Sequence, residues 1–327
     1  MDMRARNIGY HMGTIDTVIS VAEVDRQAAQ LRGDATRERL HALANHSACL
    51  TIDGLCAGYG KMQVVHDFSL AVARGQSLCL IGPNGAGKST VLHSIYGFTR
   101  IFSGRIAIDD GKRKIDVTRL STNRKLSEAG IAYIMQDKSV FPEMTVEENL
   151  WMGGYLLERP ALARERAEQV FDRYPRLAAR RRQRAKVLSG GERRLLEISR
   201  ALVMNPQILL VDEPSIGLEP RFIDMVFDIL SGLQHDEGKT IIIVEQNAKK
   251  GLEFADIGYV LVSGETMLAA PGRDLLNNPG LRIFHGLLLR PRHFCERVIS
   301  GLGDRHADLD GHVGGGLRLG RRRLAAV

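Results

Sequence analysis

The sequence predicts an α/β fold built on a parallel sheet, and three stretches predict it. Each is a short apolar run that ends in a chemically specific turn. Leu78-Cys79-Leu80 leads into a glycine loop, Gly82 to Ser89, and then into the helical pattern Val91 to Tyr96. Ile208-Leu209-Leu210-Val211 ends in Asp212-Glu213-Pro214, and Thr240 to Val244 ends in Glu245-Gln246-Asn247. Short apolar runs bounded by turn signals fit strands buried on both faces, the habit of parallel sheets whose crossovers are helices.

Taken in order, residues 1 to about 48 read as an N-terminal extension. Val18 to Leu43 scatters apolar residues among many charges, so the extension is expected to be poorly ordered or weakly helical. From Leu50 the texture changes. Leu50-Thr51-Ile52 and Val64 to Val72 alternate as half-buried strands do, with Ala57-Gly58-Tyr59-Gly60 as a turn between them. After the glycine loop and its helix, Ser103-Gly104 turns into the strand Arg105 to Ile108. Ile131 to Met135 is a further buried strand, ended by Gln136-Asp137.

A helical insert interrupts the sheet from about 140 to 187. Its arginine run, Arg180-Arg181-Arg182-Gln183-Arg184, reads as a solvated face. Leu188-Ser189-Gly190-Gly191-Glu192 opens the next helix, with Ser189 and Glu192 spaced as a capping box. Asn205-Pro206 stops that helix, and Pro220 starts another at a favoured first-turn position. Two short strands, Ile257 to Val262 and Thr266 to Ala269, come next. The main domain is thus expected over 49–280, and 281–327 reads as a basic, disordered tail.

Composition narrows the function. The 327 residues are 44% hydrophobic and 25% charged, as in globular proteins. No apolar run approaches the roughly 18 residues that span a bilayer. The net charge is +7, but residues 281–327 hold nine arginines against four acids. The remainder is nearly balanced, so no nucleic-acid partner is expected. Cys49, Cys56, Cys79 and Cys295 lack metal or redox spacing and read as reduced thiols.

The chemistry lies in three places. Gly82, Pro83, Asn84, Gly85, Ala86, Gly87, Lys88 and Ser89 fit G-x-x-x-x-G-K-[ST], the phosphate-binding loop, with Thr90 next in the helix. Glycines let the backbone N–H groups curl around phosphate oxygens, and the helix start adds its positive dipole end. Lys88 would reach the outer phosphates, and Ser89 would hold Mg²⁺. Asp212 is placed as a second Mg²⁺ ligand, and Glu213 is placed to orient and activate the attacking water. Leu188–Glu192 is a second glycine-rich helix start able to receive an anion. One nucleotide needs one set of phosphate donors. The expected solution is a dimer, with each nucleotide between one subunit's loop and the other's Leu188–Glu192.

This set resembles the ATP-binding cassette family, the ATPase subunits of ABC transporters, over about residues 49 to 280. Gly82–Thr90 resembles Walker A, Gln136 the Q-loop, Leu188–Glu192 the signature, Ile208–Glu213 Walker B and Ser215–Pro220 the D-loop. The resemblance implies a P-loop NTPase core with an antiparallel β subdomain and an α-helical subdomain, and ATP and Mg²⁺ as cofactors. It implies that Tyr59 stacks on adenine and that Gln136 contacts Mg²⁺ and the attacking water. It also implies that Phe141 to Leu150 receives a membrane subunit. Soluble members in DNA repair carry a long coiled coil, and translation factors carry two cassettes. This chain has one cassette and no sustained heptads.

One position departs from the family's usual pattern. The last strand usually ends in Glu-His or Asp-His, with the histidine at the γ-phosphate; here it ends in Glu245-Gln246. A carboxamide donates a hydrogen bond but does not charge near neutral pH, so slower or less gated hydrolysis is expected at this site. Val244 to Ala248, with Pro214 to Leu218 and Phe141 to Leu150, resembles ATPases of branched-chain amino-acid importers and their urea and short-amide relatives. That resemblance implies a second, different ATPase subunit, two transmembrane permease subunits and a periplasmic or lipoprotein substrate-binding protein. It places the chain peripherally on the cytoplasmic face of the inner membrane.

Overall fold

The computed structural model describes residues 36–136 and 139–277. The expectations for residues 1–35, for Asp137 and for the basic tail 281–327 lie outside the described residues.

Helix α1 (Arg37–Leu43) opens the described chain, with the Thr36 hydroxyl accepting from Arg39 N–H at 3.4 Å. The sequence pattern puts these residues in an extension expected to be poorly ordered or weakly helical. They form a helix here, Leu40 and Ala44 are buried in the main core, and Leu43 C=O accepts from Gln76 Nε2 at 3.0 Å. Packing of two apolar side chains supplies the stability that a seven-residue helix lacks on its own.

Strands β1 (Ala48–Tyr59) and β2 (Met62–Ala73) form a hairpin. β1 runs through the expected turn and ends on Tyr59, so the reversal is only Gly60-Lys61. β3 (Ser77–Ile81), entirely buried, feeds helix α2 (Lys88–Tyr96). β4 (Arg100–Asp109) begins before Ser103-Gly104 and absorbs that pair as a bulge opposite β1, then pairs with β5 (Lys114–Asp116). Helix α3 (Thr122–Ser127) leads to β6 (Ile131–Ile134). The helical insert comprises α4 (Val146–Gly153), α5 (Pro160–Arg173) and α6 (Pro175–Ala178). Then come α7 (Gly190–Leu202), β7 (Ile208–Asp212), α8 (Pro220–His235) and β8 (Thr240–Val244). Helix α9 (Ala248–Phe254), strands β9 (Ile257–Val262) and β10 (Glu265–Pro271), and helix α10 (Gly272–Asn277) close the described chain.

Two sheets result. The antiparallel sheet has the order β2-β1-β4-β5. The second has the order β10-β9-β3-β8-β7-β6, parallel from β9 to β6 with β10 antiparallel on its edge. One apolar cluster joins both sheets to α1 and α2, through Leu50, Phe68, Leu80, Leu92, Ile106 and Tyr259 among others. A separate cluster, including Leu150, Ala167, Phe171, Leu177 and Leu196, holds the helical segment together. All five residues of β7 and of β8 are buried. Burying one Leu, Ile or Val side chain stabilises by about 1.5–3 kcal/mol, so these central strands are rigid footings for the turns at their C-terminal ends.

The arginine run is largely the solvated face the sequence suggests, with Arg180, Arg182, Gln183 and Arg184 exposed and Arg181 half-buried. Arg181 bridges Glu147 on α4 and Glu168 on α5, at 3.0 and 2.7 Å. Arg184 pairs with Glu143, and Arg180 approaches Glu192 at 3.4 Å. The run stitches the helical segment to the start of α7. The three described cysteines are free thiols.

Candidate functional site

In the parallel sheet, β3, β6, β7 and β8 run side by side in one direction, so their C-terminal ends open on one edge. Ligands of open α/β sheets bind outside that edge. The glycine loop leaves from β3, Gln136 comes after β6, Asp212 and Glu213 end β7, and Glu245-Gln246 come after β8. The topology therefore gathers residues up to 164 positions apart in the chain.

The loop owes its shape to Gly85 and Gly87, whose φ values of 80° and 95° lie in the left-handed region. Gly87 caps α2 and offers no side chain, so the first-turn N–H groups of that helix have no side-chain acceptor. Asn84 and Gly85 are exposed at the loop tip, Gly82 and Pro83 are half-buried, and Ala86, Lys88 and Thr90 are buried. Lys88 Nζ donates to Gly82 C=O at 2.9 Å and to Pro83 C=O at 3.0 Å. Its ammonium thus folds across the mouth of its own loop. Burial lowers the Lys88 pKa, and the carboxylates of Glu213 and Asp212 oppose that shift.

Asp212 has both carboxylate oxygens engaged. Ser89 Oγ donates to Oδ1 at 3.0 Å, and Tyr133 Oη donates to Oδ2 at 2.8 Å. Ser89 and Asp212 are hard oxygen donors within bonding reach of each other. Among the described residues no group of three or more His, Cys, Asp or Glu could enclose a metal. One carboxylate and one hydroxyl suit Mg²⁺, which keeps waters and takes phosphate oxygens for the rest of its shell.

Glu213 is 8% exposed and sits at φ 45°, unusual for a side-chain-bearing residue. Its N–H donates to Val244 C=O at 2.9 Å, which ties the turn to β8. Gln246 Nε2 donates to both carboxylate oxygens of Glu213, at 3.0 and 3.1 Å. Glu245 is buried, and burial raises its pKa against donors that include Ser215 N–H and Gln246 N–H. Gln136, two residues after β6, is exposed.

Tyr59 is 41% exposed, at the tip of the β1–β2 hairpin. Its hydroxyl meets His93 Nδ1 at 2.5 Å. His93 stands on α2, one turn beyond Lys88 and Ser89. The aromatic edge thereby closes on the helix of the glycine loop.

Leu188–Glu192 stands apart from this cluster. No hydrogen bond or ion pair among the described residues joins it to Gly82–Thr90. The capping box is formed: Glu192 N–H donates to Ser189 Oγ at 3.3 Å, and Ser189 N–H donates to Glu192 Oε2 at 2.9 Å. Leu188 is buried, whereas Ser189 and Gly190 are exposed. A Cβ on Gly191 would lie 2.2 Å from Phe222 Cδ1, so α8 approaches closely enough to require glycine there.

Three contributors carried no sequence signal strong enough to be singled out. Tyr133 is an ordinary strand aromatic by pattern, and His93 lies in a helical run. Arg194 reads as a surface arginine but is 5% exposed. It donates to Met135 C=O at 2.9 Å, Asp212 C=O at 3.2 Å and Glu197 at 2.8 Å. It binds α7 to the ends of β6 and β7.

Residues 65–216 match the family model described as ABC transporter. The chain is 40% identical over 233 residues to the high-affinity branched-chain amino acid transport ATP-binding protein BraG of Pseudomonas aeruginosa, covering 71% of this chain and 97% of BraG. It is 35% identical over 224 residues to the probable branched-chain amino acid transport ATP-binding protein LivF of Archaeoglobus fulgidus, covering 68% and 92%. Against the lipopolysaccharide export system ATP-binding protein LptB of Haemophilus influenzae, identity is 32% over 234 residues, covering 70% and 93%. Among solved structures, an ATP-binding cassette of an ABC transporter in its ADP conformation superposes with a TM-score of 0.63 at 28% identity, covering 73% of this chain and 99% of that one. A glycine loop after β3, an Asp-Glu pair at the end of β7 and near-complete coverage of such relatives agree: the chain belongs to the ABC transporter family of ATP-binding proteins.

Proposed function

We propose that this chain is the ATP-binding and ATP-hydrolysing subunit of an importer for branched-chain amino acids. ATP hydrolysis is the characteristic activity of its family. The observation that carries the substrate class is the 40% identity to BraG over 97% of that protein, against 32% to LptB. The Glu245-Gln246-Asn247-Ala248 ending and the Phe141–Leu150 segment support the same branch.

In this reading the N–H groups of Gly85 to Ser89 and the Lys88 ammonium hold the β- and γ-phosphates, and Pro83, Asn84 and Thr90 complete the loop. Tyr59 stacks on the adenine. Ser89 and Asp212 would hold Mg²⁺, which neutralises charge on the phosphates, and Gln136 would reach it from the end of β6. Glu213 accepts a proton from, and orients, the attacking water, with Gln246 fixing its carboxylate. Ser189 and Gly190, exposed at the start of α7, and the Gly191 main chain serve the nucleotide of a second ATPase subunit, with Leu188 and Glu192 anchoring that turn. Phe141 is 42% exposed beside α4, while Asn149 locks its main chain through bonds to Phe141 N–H and C=O. A rigid apolar tip of this kind suits a membrane permease subunit. Two permeases, a substrate-binding protein and a peripheral place on the cytoplasmic face of the inner membrane complete the assembly.

The test is co-purification with permeases encoded beside it, followed by ATPase assays with substrate-binding protein loaded with leucine, isoleucine or valine, or with urea or a short amide. Stimulation by the amino acids supports the proposal. Stimulation by urea or amide alone replaces its substrate, and recovery of ribosomes or DNA instead of permeases overturns it.

A further inference from the structure

We infer that His93 is a positioning residue for nucleotide binding, one that fixes the Tyr59 ring at a set distance from the phosphate loop. The inference rests on the reading of Tyr59 as the surface for the base.

Tyr59 lies on the antiparallel sheet, at the tip of a two-residue reversal. The phosphate loop lies on the other sheet. A nucleotide held by both must match the distance between them, and a hairpin tip has freedom to drift. The 2.5 Å contact between Tyr59 Oη and His93 Nδ1 removes that freedom, because His93 belongs to the very helix that the loop caps. The contact is made at the rim of the tyrosine ring. The rings meet edge-on, at 82° with centroids 6.1 Å apart, so a face of Tyr59 stays open for stacking.

The imidazole is itself held. Phe98 and Tyr133 pack against it edge-on, with centroids at 5.7 and 5.6 Å. Burial lowers the His93 pKa, with the Asp212 carboxylate opposing, which favours the neutral ring; in the tautomer protonated at Nε2, Nδ1 accepts from the tyrosine hydroxyl. Tyr133 then continues the chain of contacts, since its hydroxyl donates to Asp212 Oδ2 at 2.8 Å. The base surface and the proposed Mg²⁺ carboxylate therefore share one aromatic wall: Tyr59, His93, Tyr133. A site whose two ends are fixed before ligand arrives loses less ordering entropy on binding.

Affinity for ATP and for inorganic tripolyphosphate, measured by calorimetry on the purified chain, tests this. Tripolyphosphate keeps the phosphates and lacks the base. His93→Leu and Tyr59→Phe each remove one side of a single hydrogen bond, so each is expected to weaken ATP roughly three- to tenfold. The double variant is expected to be no weaker than either alone. Tripolyphosphate affinity is expected to hold within about twofold, and His93→Asn, which returns an acceptor near Nδ1, is expected to recover most of the loss. Equal loss for both ligands would mean that His93 merely supports the fold of α2, and additive losses would mean that the two residues act separately; either overturns the inference. Tyr59→Ala separates the positioning role from the base reading beneath it. Unchanged ATP affinity in that variant removes the base reading altogether. Weakened ATP there, with His93→Leu at parental affinity, removes only the positioning role.

Discussion

Replacing Gln246 by leucine keeps an uncharged side chain of similar bulk, one atom shorter, and removes the donor that, among the described residues, reaches Glu213 from the end of β8. In the parent, one amide nitrogen lies 3.0 and 3.1 Å from the two carboxylate oxygens. Glu213 is 8% exposed, so water replaces that donor poorly. A hydrogen bond to a charged group contributes about 1.5–3 kcal/mol. Counted once, because a single nitrogen serves both oxygens, this is roughly a 10- to 100-fold effect when the bond holds the carboxylate in its working position. Turnover of Gln246→Leu at saturating ATP should therefore fall by that factor, measured as steady-state phosphate release. Gln246→His should recover much of it above pH 7, where a neutral imidazole still donates. It should also gain an acid limb near an ordinary histidine pKa of about 6.5, which the parent lacks because a carboxamide does not titrate. Turnover of Gln246→Leu within twofold of the parent would refute the positioning of Glu213 by Gln246.

Buried groups supply three more expected outcomes. Lys125 is wholly buried, donates to Ile95 C=O at 2.7 Å, and has its pKa lowered from 10.5 to about 8 by desolvation. Between pH 8 and 10.5 the unfolded lysine holds a proton that the folded one has released, so stability should rise with pH across that window, by up to about 3 kcal/mol. Denaturant titration should show the rise in the parent and lose it in Lys125→Met. Arg194→Met strands Glu197 in the interior and should cost about 3–5 kcal/mol, with Arg194→Met/Glu197→Leu less destabilised than the single variant. Gly191→Ala places a methyl 2.2 Å from the Phe222 ring. It should destabilise by about 1–3 kcal/mol, and the double variant with Phe222→Ala should cost less than the sum of the two.

Much of the fold was legible because its parallel strands are unmixed apolar runs with punctuated ends. β7 and β8 leave little choice, being too short for buried helices and bounded by Asp-Glu-Pro and Glu-Gln-Asn. The antiparallel sheet was less legible. Gly58 and Gly104 look like turn residues but serve as bulges and close crossings inside long strands. Helix α1 was obscured because one buried leucine among charges makes a faint periodic signal. In the site, residues defined by motif spacing were readable, and those defined by cross-strand neighbours were not. Tyr133 meets Asp212 only because β6 pairs with β7, and Arg194 reaches Asp212 only because α7 folds back over those strand ends. The Gln246–Glu213 bond is intermediate: the sequence marked Gln246 as a departure, and the geometry supplied its partner.

In the proposed mechanism, hydrolysis at this site turns on Glu213. Purified parent chain and Glu213→Gln should be compared for ATP binding by calorimetry and for phosphate release under the same conditions. The carboxamide keeps the shape and loses the proton acceptor. ATP affinity should stay within about threefold of the parent, while turnover should fall by at least about 100-fold, the scale of general-base participation. Turnover close to that of the parent, with ATP still bound, would contradict the role of Glu213 as the base for the attacking water.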